Sequence, residues 1–134
     1  MQAFENIVNR IINNWSHHQD DTAIKSDLDS LNIVLEGDFR KGQLYVVAGK
    51  ESMGKTSFIV SLVSDIISSN ARNVGVIAMN ISEESWVARL FSNVSEVLLE
   101  CILRGRLLQD DLEKIKLVAR LPRFDRLNFG RMGI

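Results

Sequence analysis

The chain contains the continuous run Gln43-Leu44-Tyr45-Val46-Val47-Ala48-Gly49-Lys50-Glu51-Ser52-Met53-Gly54-Lys55-Thr56-Ser57, in which an apolar segment passes through a glycine-bounded octapeptide into a helical pattern. Residues 43–48 are apolar without alternation and lie between Gly42 and Gly49, which predicts a short strand buried on both faces. Beyond the octapeptide, Phe58, Ile59, Leu62, Val63, Ile66 and Ile67 predict a helix with one apolar side. Gly49 to Thr56 satisfies G-x-x-x-x-G-K-S/T between those two elements, the context in which the pattern marks a phosphate-binding loop. Glycines let successive backbone N–H groups curl towards one concavity, and the helix N-terminus adds its own donors and partial positive charge. Lys55 supplies a mobile cation for outer phosphates, and Thr56 a hydroxyl for Mg²⁺. The candidate nucleotide-binding set is therefore Gly49, Glu51, Ser52, Met53, Gly54, Lys55, Thr56 and Ser57, with Thr56 as the metal ligand. Lys50 and Glu51 fill variable loop positions, are expected at the surface and receive no catalytic role. The bland alternative is a glycine turn that merely joins strand to helix.

Composition sets the outer bounds. A length of 134 residues supports one domain with a small core, and 46% hydrophobic with 25% charged residues is ordinary for a globular protein. Sixteen Lys and Arg against 17 Asp and Glu give a net charge of −1, which argues against a broad basic nucleic-acid surface and leaves room only for a local patch. One cysteine excludes an internal disulfide framework. Cys101, among Val97, Leu98 and Ile102, reads as a buried small hydrophobe. The amphipathic N-terminal stretch is not expected to be a signal peptide and no apolar run here is long enough to span a bilayer, so a cytoplasmic location is expected.

Along the chain, Phe4, Ile7, Val8, Ile11, Ile12 and Trp15 predict an amphipathic helix over 3–16. His17-His18-Gln19-Asp20-Asp21 then reads as a solvated hinge rather than a metal site, because adjacent loop residues rarely converge on one ion. Residues 1–24 form this helix and hinge, and 25–134 form the domain proper. Ser26, with Asp29 three positions on, is expected to open a second helix, which Gly37 ends. Val74 to Met79 reads as a second buried strand. Ser82 caps a long helix with Glu83 and Glu84 in its first turn and Trp86, Val87, Leu90, Phe91, Val94, Leu98, Cys101 and Ile102 inward, broken at Gly105. Asp110 and Asp111 open another helix with Leu112, Ile115 and Val118 inward, ended by Pro122. The tail from Arg123 has no clear period and reads as a loosely docked segment, nucleic-acid contact through its arginines and phenylalanines being the alternative.

These residues carry a family resemblance. The loop is similar to that of RecA, and Ser52-Met53-Gly54-Lys55-Thr56 also reads like that of DnaB-type helicases. Upstream, Leu31-Asn32 followed by Gly37, Gly42, Gln43 and Leu44 resembles the family's approach to the phosphate-binding strand. Downstream, Val76-Ile77-Ala78-Met79-Asn80-Ile81-Ser82-Glu83-Glu84-Ser85-Trp86, with Arg89, resembles the DnaB segment S-L-E-M-S-x-E-x-L-x-x-R. Ile102 to Leu107 and Asp110 to Ile115 are similar to the stretch that distinguishes DnaB from RecA. The resemblance to DnaB-like replicative helicases thus covers about residues 25–121. It implies an α/β, partial RecA-like P-loop fold, ATP and Mg²⁺ as ligands, and a role in DNA replication.

Two departures qualify what the resemblance implies. Asn80 stands where the family carries the carboxylate that polarises the attacking water. An amide can hold a water but cannot accept its proton, so weak or absent hydrolysis is expected. A shifted register would bring Glu83 or Glu84 to that role, but their spacing places both in a first helical turn. The family's ATPase domain is also roughly twice this length, so the chain reads as a truncated domain without helicase activity alone. In the family's sheet the two strands read here are not neighbours, so each needs another partner. Rearranged pairing that uses the tail, or a homodimer that completes the sheet, is expected. A second function class is an interaction protein with a vestigial loop that self-associates or docks on a full-length helicase subunit. The third is a small NTPase or kinase with a carboxylate from elsewhere. Direct DNA binding is expected to be weak.

Overall fold

The computed structural model describes residues 2–16, 23–36, 38–69 and 72–130. In chain order it contains α1 (Gln2–Ser16), α2 (Asp29–Val34), α3 (Lys55–Ser69), β1 (Val74–Val76), α4 (Glu83–Ser95), α5 (Leu99–Leu103), α6 (Gln109–Ala119), a 3₁₀ turn (Pro122–Arg126) and β2 (Leu127–Phe129). The architecture is α/β around a small parallel sheet. β1 and β2 pair with Val74 opposite Leu127 and Val76 opposite Phe129, and Gly130 N–H donates to Val76 C=O at 3.0 Å to extend the ladder.

The core is a seam between α3 and α4. Val60, Val63 and Ile67 of α3 are buried against Trp86 and Leu90 of α4, and Val74, Val76, Ile81, Val94, Phe124, Leu127 and Phe129 pack around them. Val60 is among the most buried side chains although it falls outside the apolar side read from the sequence. The tail is therefore part of the core. Phe129 meets Trp86 edge-on with centroids 5.4 Å apart, and Phe124 lies 5.8 Å from Phe91. Arg123 Nη1 donates to Ser68 Oγ at 2.8 Å, which anchors the 3₁₀ turn to the end of α3. The expected use of the tail as a strand partner is met for β1.

Several sequence expectations need correction. Residues 43–48 form no strand: they belong to no helix or strand, and Leu44 and Val46 are 88% and 78% exposed. Burial on both faces needs layers on both sides, and the described residues supply neither. The second strand stops at Val76, with Ile77 and Met79 exposed beyond it. α2 begins at Asp29 rather than Ser26, because Ser26 Oγ accepts from Leu28 N–H at 3.0 Å in a turn before the helix. Glu36 takes a positive φ of 54° after α2, while Gly37 lies outside the described residues, as do His17–Asp21.

The long helix from Ser82 is two helices. Glu96 adopts φ 59°, and Ser92 Oγ donates to Val97 C=O at 2.7 Å, so α4 closes before α5 starts. This bend buries Val97 and turns Leu98 outward, 73% exposed, against the inward placement the periodicity suggested. Cys101 is half-buried. α6 ends at Ala119, and Pro122 opens the 3₁₀ turn instead of closing the helix. Other expectations match: Ser82 Oγ accepts from Ser85 N–H at 3.1 Å, Glu83 and Glu84 lie in the first turn of α4, and Gly105 takes φ 65° at the break. α1 forms as read, but Phe4, Ile7, Ile11 and Ile12 on its apolar face are exposed. No helix among the described residues is long and apolar enough to cross a membrane.

Leu90→Ala should lower stability by about 2–5 kcal/mol in urea unfolding, whereas Leu98→Ala should stay within about 0.5 kcal/mol of the parent. Equal losses would contradict the outward turn at Leu98.

Candidate functional site

The octapeptide Gly49 to Thr56 folds as a tight loop that runs straight into α3. Gly54 takes φ 83° and Ser52 φ 61°, so the chain reverses twice within three residues. Glycine suits the first of these because it has no Cβ to clash in the left-handed region. The first helical hydrogen bond runs from Phe58 N–H to Gly54 C=O at 2.9 Å. The N–H groups of Lys55, Thr56 and Ser57 therefore have no intrahelical acceptor and open at the helix end, where the peptide dipoles add partial positive charge.

Lys55 is folded back on its own loop. Its Nζ donates to Gly49 C=O at 2.8 Å and to Lys50 C=O at 2.7 Å. Two neutral carbonyls hold the ammonium over the loop, a contact that an anion can replace because a charge-assisted bond to an oxyanion is the stronger one. Thr56 and Ser57 are exposed, as are Lys50 and Glu51.

A concavity of about 670 Å³ opens beside the loop, lined by Val47, Ala48, Gly49, Lys50, Met53, Gly54, Lys55 and Phe58. The structure thus brings Gly49, Met53, Gly54 and Lys55 of the candidate set together, whereas Glu51, Ser52, Thr56 and Ser57 lie outside this lining. Val47, Ala48 and Phe58 were not in the sequence-derived set. Phe58 had a legible signal, since it sits one turn beyond Lys55 and shares its side of the helix. Asn80 is exposed in the turn between β1 and α4. Among the described residues, no three His, Cys, Asp or Glu side chains are grouped to hold a metal ion.

Residues 23–127, which include the loop and the α3–α4 seam, match the family described as the DnaB-like helicase C terminal domain. The chain belongs to that family. Among relatives of this DnaB-like chain, a probable plasmid replicative DNA helicase of Chlamydia psittaci is 31% identical over 94 residues, covering 70% of this chain and 20% of that protein. A replicative DNA helicase DnaB of Nostoc sp. (strain PCC 7120) is 30% identical over 102 residues, 73% of this chain and 11% of its own length. The DnaB of Geobacillus stearothermophilus is 23% identical over 120 residues, 84% of this chain and 26% of its own length. The DnaB-like chain thus spans between a tenth and about a quarter of these relatives.

The two loop glycines make different demands. A Cβ at Gly49 meets only ordinary contacts, near 3.9 Å, whereas Gly54 has open space around it but a left-handed backbone. Gly54→Ala should cost about 1–2 kcal/mol, and Gly49→Ala should be neutral or stabilising by up to about 1 kcal/mol. Thermal unfolding of the two variants side by side measures the difference, and a Gly54→Ala variant as stable as the parent would contradict the strained geometry.

Proposed function

We propose that this DnaB-like chain provides the phosphate-binding part of a RecA-type ATPase domain, binding ATP with Mg²⁺ and hydrolysing it weakly on its own. The observation that carries the reading is the loop 49–56, curled at Gly54 and opening directly into the positive end of α3 with Lys55 tethered above it. Lys55, released from the two carbonyls, would pair with the outer phosphates, and the N–H groups at the head of α3 would hold the inner ones. Thr56 Oγ is exposed at the same helix end and suits Mg²⁺, which takes few protein ligands and keeps waters and phosphate oxygens for the rest. Mg²⁺ would neutralise phosphate charge there.

Connectivity supports a place for Asn80 near this site. α3 leads away from the loop and β1 leads back, so the turn after β1 is directed towards the loop's end of the domain. Asn80 would orient a water by hydrogen bonding, but an amide neither takes its proton nor adds negative charge. An association with DNA replication follows from the family and from the names of its relatives, with unwinding requiring more than this stretch carries.

A second reading, an interaction protein that self-associates or docks on a helicase subunit, is favoured by the exposed apolar face of α1 at Phe4, Ile7 and Ile11. Calorimetric titration separates the two. Saturable ATP–Mg²⁺ binding that weakens at least about tenfold in Lys55→Ala, equivalent to 1.4 kcal/mol, is expected; an absence of binding in the parent would favour the interaction protein. In a phosphate-release assay, Asn80→Glu should raise ATP turnover by at least about tenfold. Unchanged turnover would remove Asn80 as the reason for weak hydrolysis.

A further inference from the structure

The loop 49–56 carries a second cation besides Lys55. Lys50 lines the same concavity as Lys55, and its own C=O accepts from Lys55 Nζ at 2.7 Å. Lys55 reaches back from the head of α3 to make that bond, so its ammonium sits against the residue whose side chain carries the other charge. The reversals at Ser52 and Gly54, with φ 61° and 83°, are what bring position 55 back to position 50, so the arrangement belongs to the loop's own fold. Lys50 and Lys55 are the charged side chains of this lining, and the neighbouring carboxylate, Glu51, lies outside it. Two like charges on one concavity repel, and a polyanion held between them replaces that repulsion with two attractions. The pattern G-x-x-x-x-G-K-S/T leaves position 50 free, so only the fold shows that its charge adjoins the Lys55 clasp.

We propose that Lys50 is a second phosphate-binding residue of this loop, pairing through Nζ with the outermost phosphate of a bound nucleoside triphosphate. The inference rests on the reading of the loop as an ATP site. In that reading the N–H groups at the head of α3 hold the inner phosphates, while Lys55 Nζ lies at the other end of the loop, against Gly49 and Lys50. Lys50 therefore adds its charge at the end where the outer phosphates lie, and what it recognises is the third phosphate rather than the base. Its side chain is exposed, so solvent and salt screen the pairing and its share is smaller than that of Lys55.

Calorimetric titration of the full chain with ATP–Mg²⁺ and with ADP–Mg²⁺ tests it. Lys50→Ala, which keeps the backbone carbonyl that clasps Lys55, should weaken ATP binding about three- to fivefold. ADP, without the third phosphate, should lose less than about twofold, and added salt should shrink the ATP effect. Lys50→Arg should bind ATP as the parent does. Lys114→Ala removes one exposed charge from α6, outside the lining, and should change nothing. A parent that binds ATP no better than Lys50→Ala overturns the inference and leaves the ATP reading standing. An equal loss in Lys114→Ala overturns it too, because the effect would then come from net charge alone. Equal losses for ATP and ADP overturn the assignment to the third phosphate. A parent that binds neither nucleotide overturns the inference together with the ATP reading.

Discussion

The seam between α3 and α4 is the contact on which the rest of this structure depends. Val60, Val63 and Ile67 meet Trp86 and Leu90, and β1, β2, α5, α6 and the 3₁₀ turn each pack on one of those two helices. Phe129 leans on Trp86, Phe124 on Phe91, and Arg123 on Ser68, so the tail closes over the seam and brings β2 to β1. Interiors of this kind are packed as densely as organic crystals, so a lost methylene is felt across the group. The short sheet follows from the seam, since three residues of pairing are too few to stand alone.

The same seam fixes the candidate site. α3 is held along its apolar side, which leaves its first turn rigid and directs its free N–H groups at the loop. The loop itself has little packing, and its one internal clasp is Lys55 on Gly49 and Lys50. A rigid helix end beside a cation held by two replaceable bonds is a suitable arrangement for an oxyanion. Asn80 follows β1 and precedes α4, so its position too is set by elements that the seam holds.

The apolar side chains of this chain are only partly covered. The seam takes the middle stretch of apolar residues, while α1 and the segment 44–47 keep theirs exposed. Apolar side chains grouped and exposed on one segment mark surface that another element can cover. The segment 44–48 also has backbone groups without a hydrogen-bonded partner among the described residues, which the helical backbone of α1 does not.

The tight loop at 49–56, α1, α3, the Ser82 cap and the family were legible in the sequence because each rests on local chemistry or on spacing within a few residues. Glycine suits Gly54 with its φ of 83°, and Ser82 carries the oxygen that receives Ser85 N–H. Apolarity, however, says only that a segment would gain from burial, not that a partner exists. Residues 43–48 and the tail show both outcomes: the first is strongly apolar and exposed, while the second has no period and lies in the core. The bend at Glu96 was equally hidden, because a left-handed Glu leaves no mark in a helical pattern; it was the packing of Val97 that decided it. Local sequence thus determined the loop and its helix, and tertiary contacts decided which apolar segments found partners, since burial depends on residues far apart in the chain.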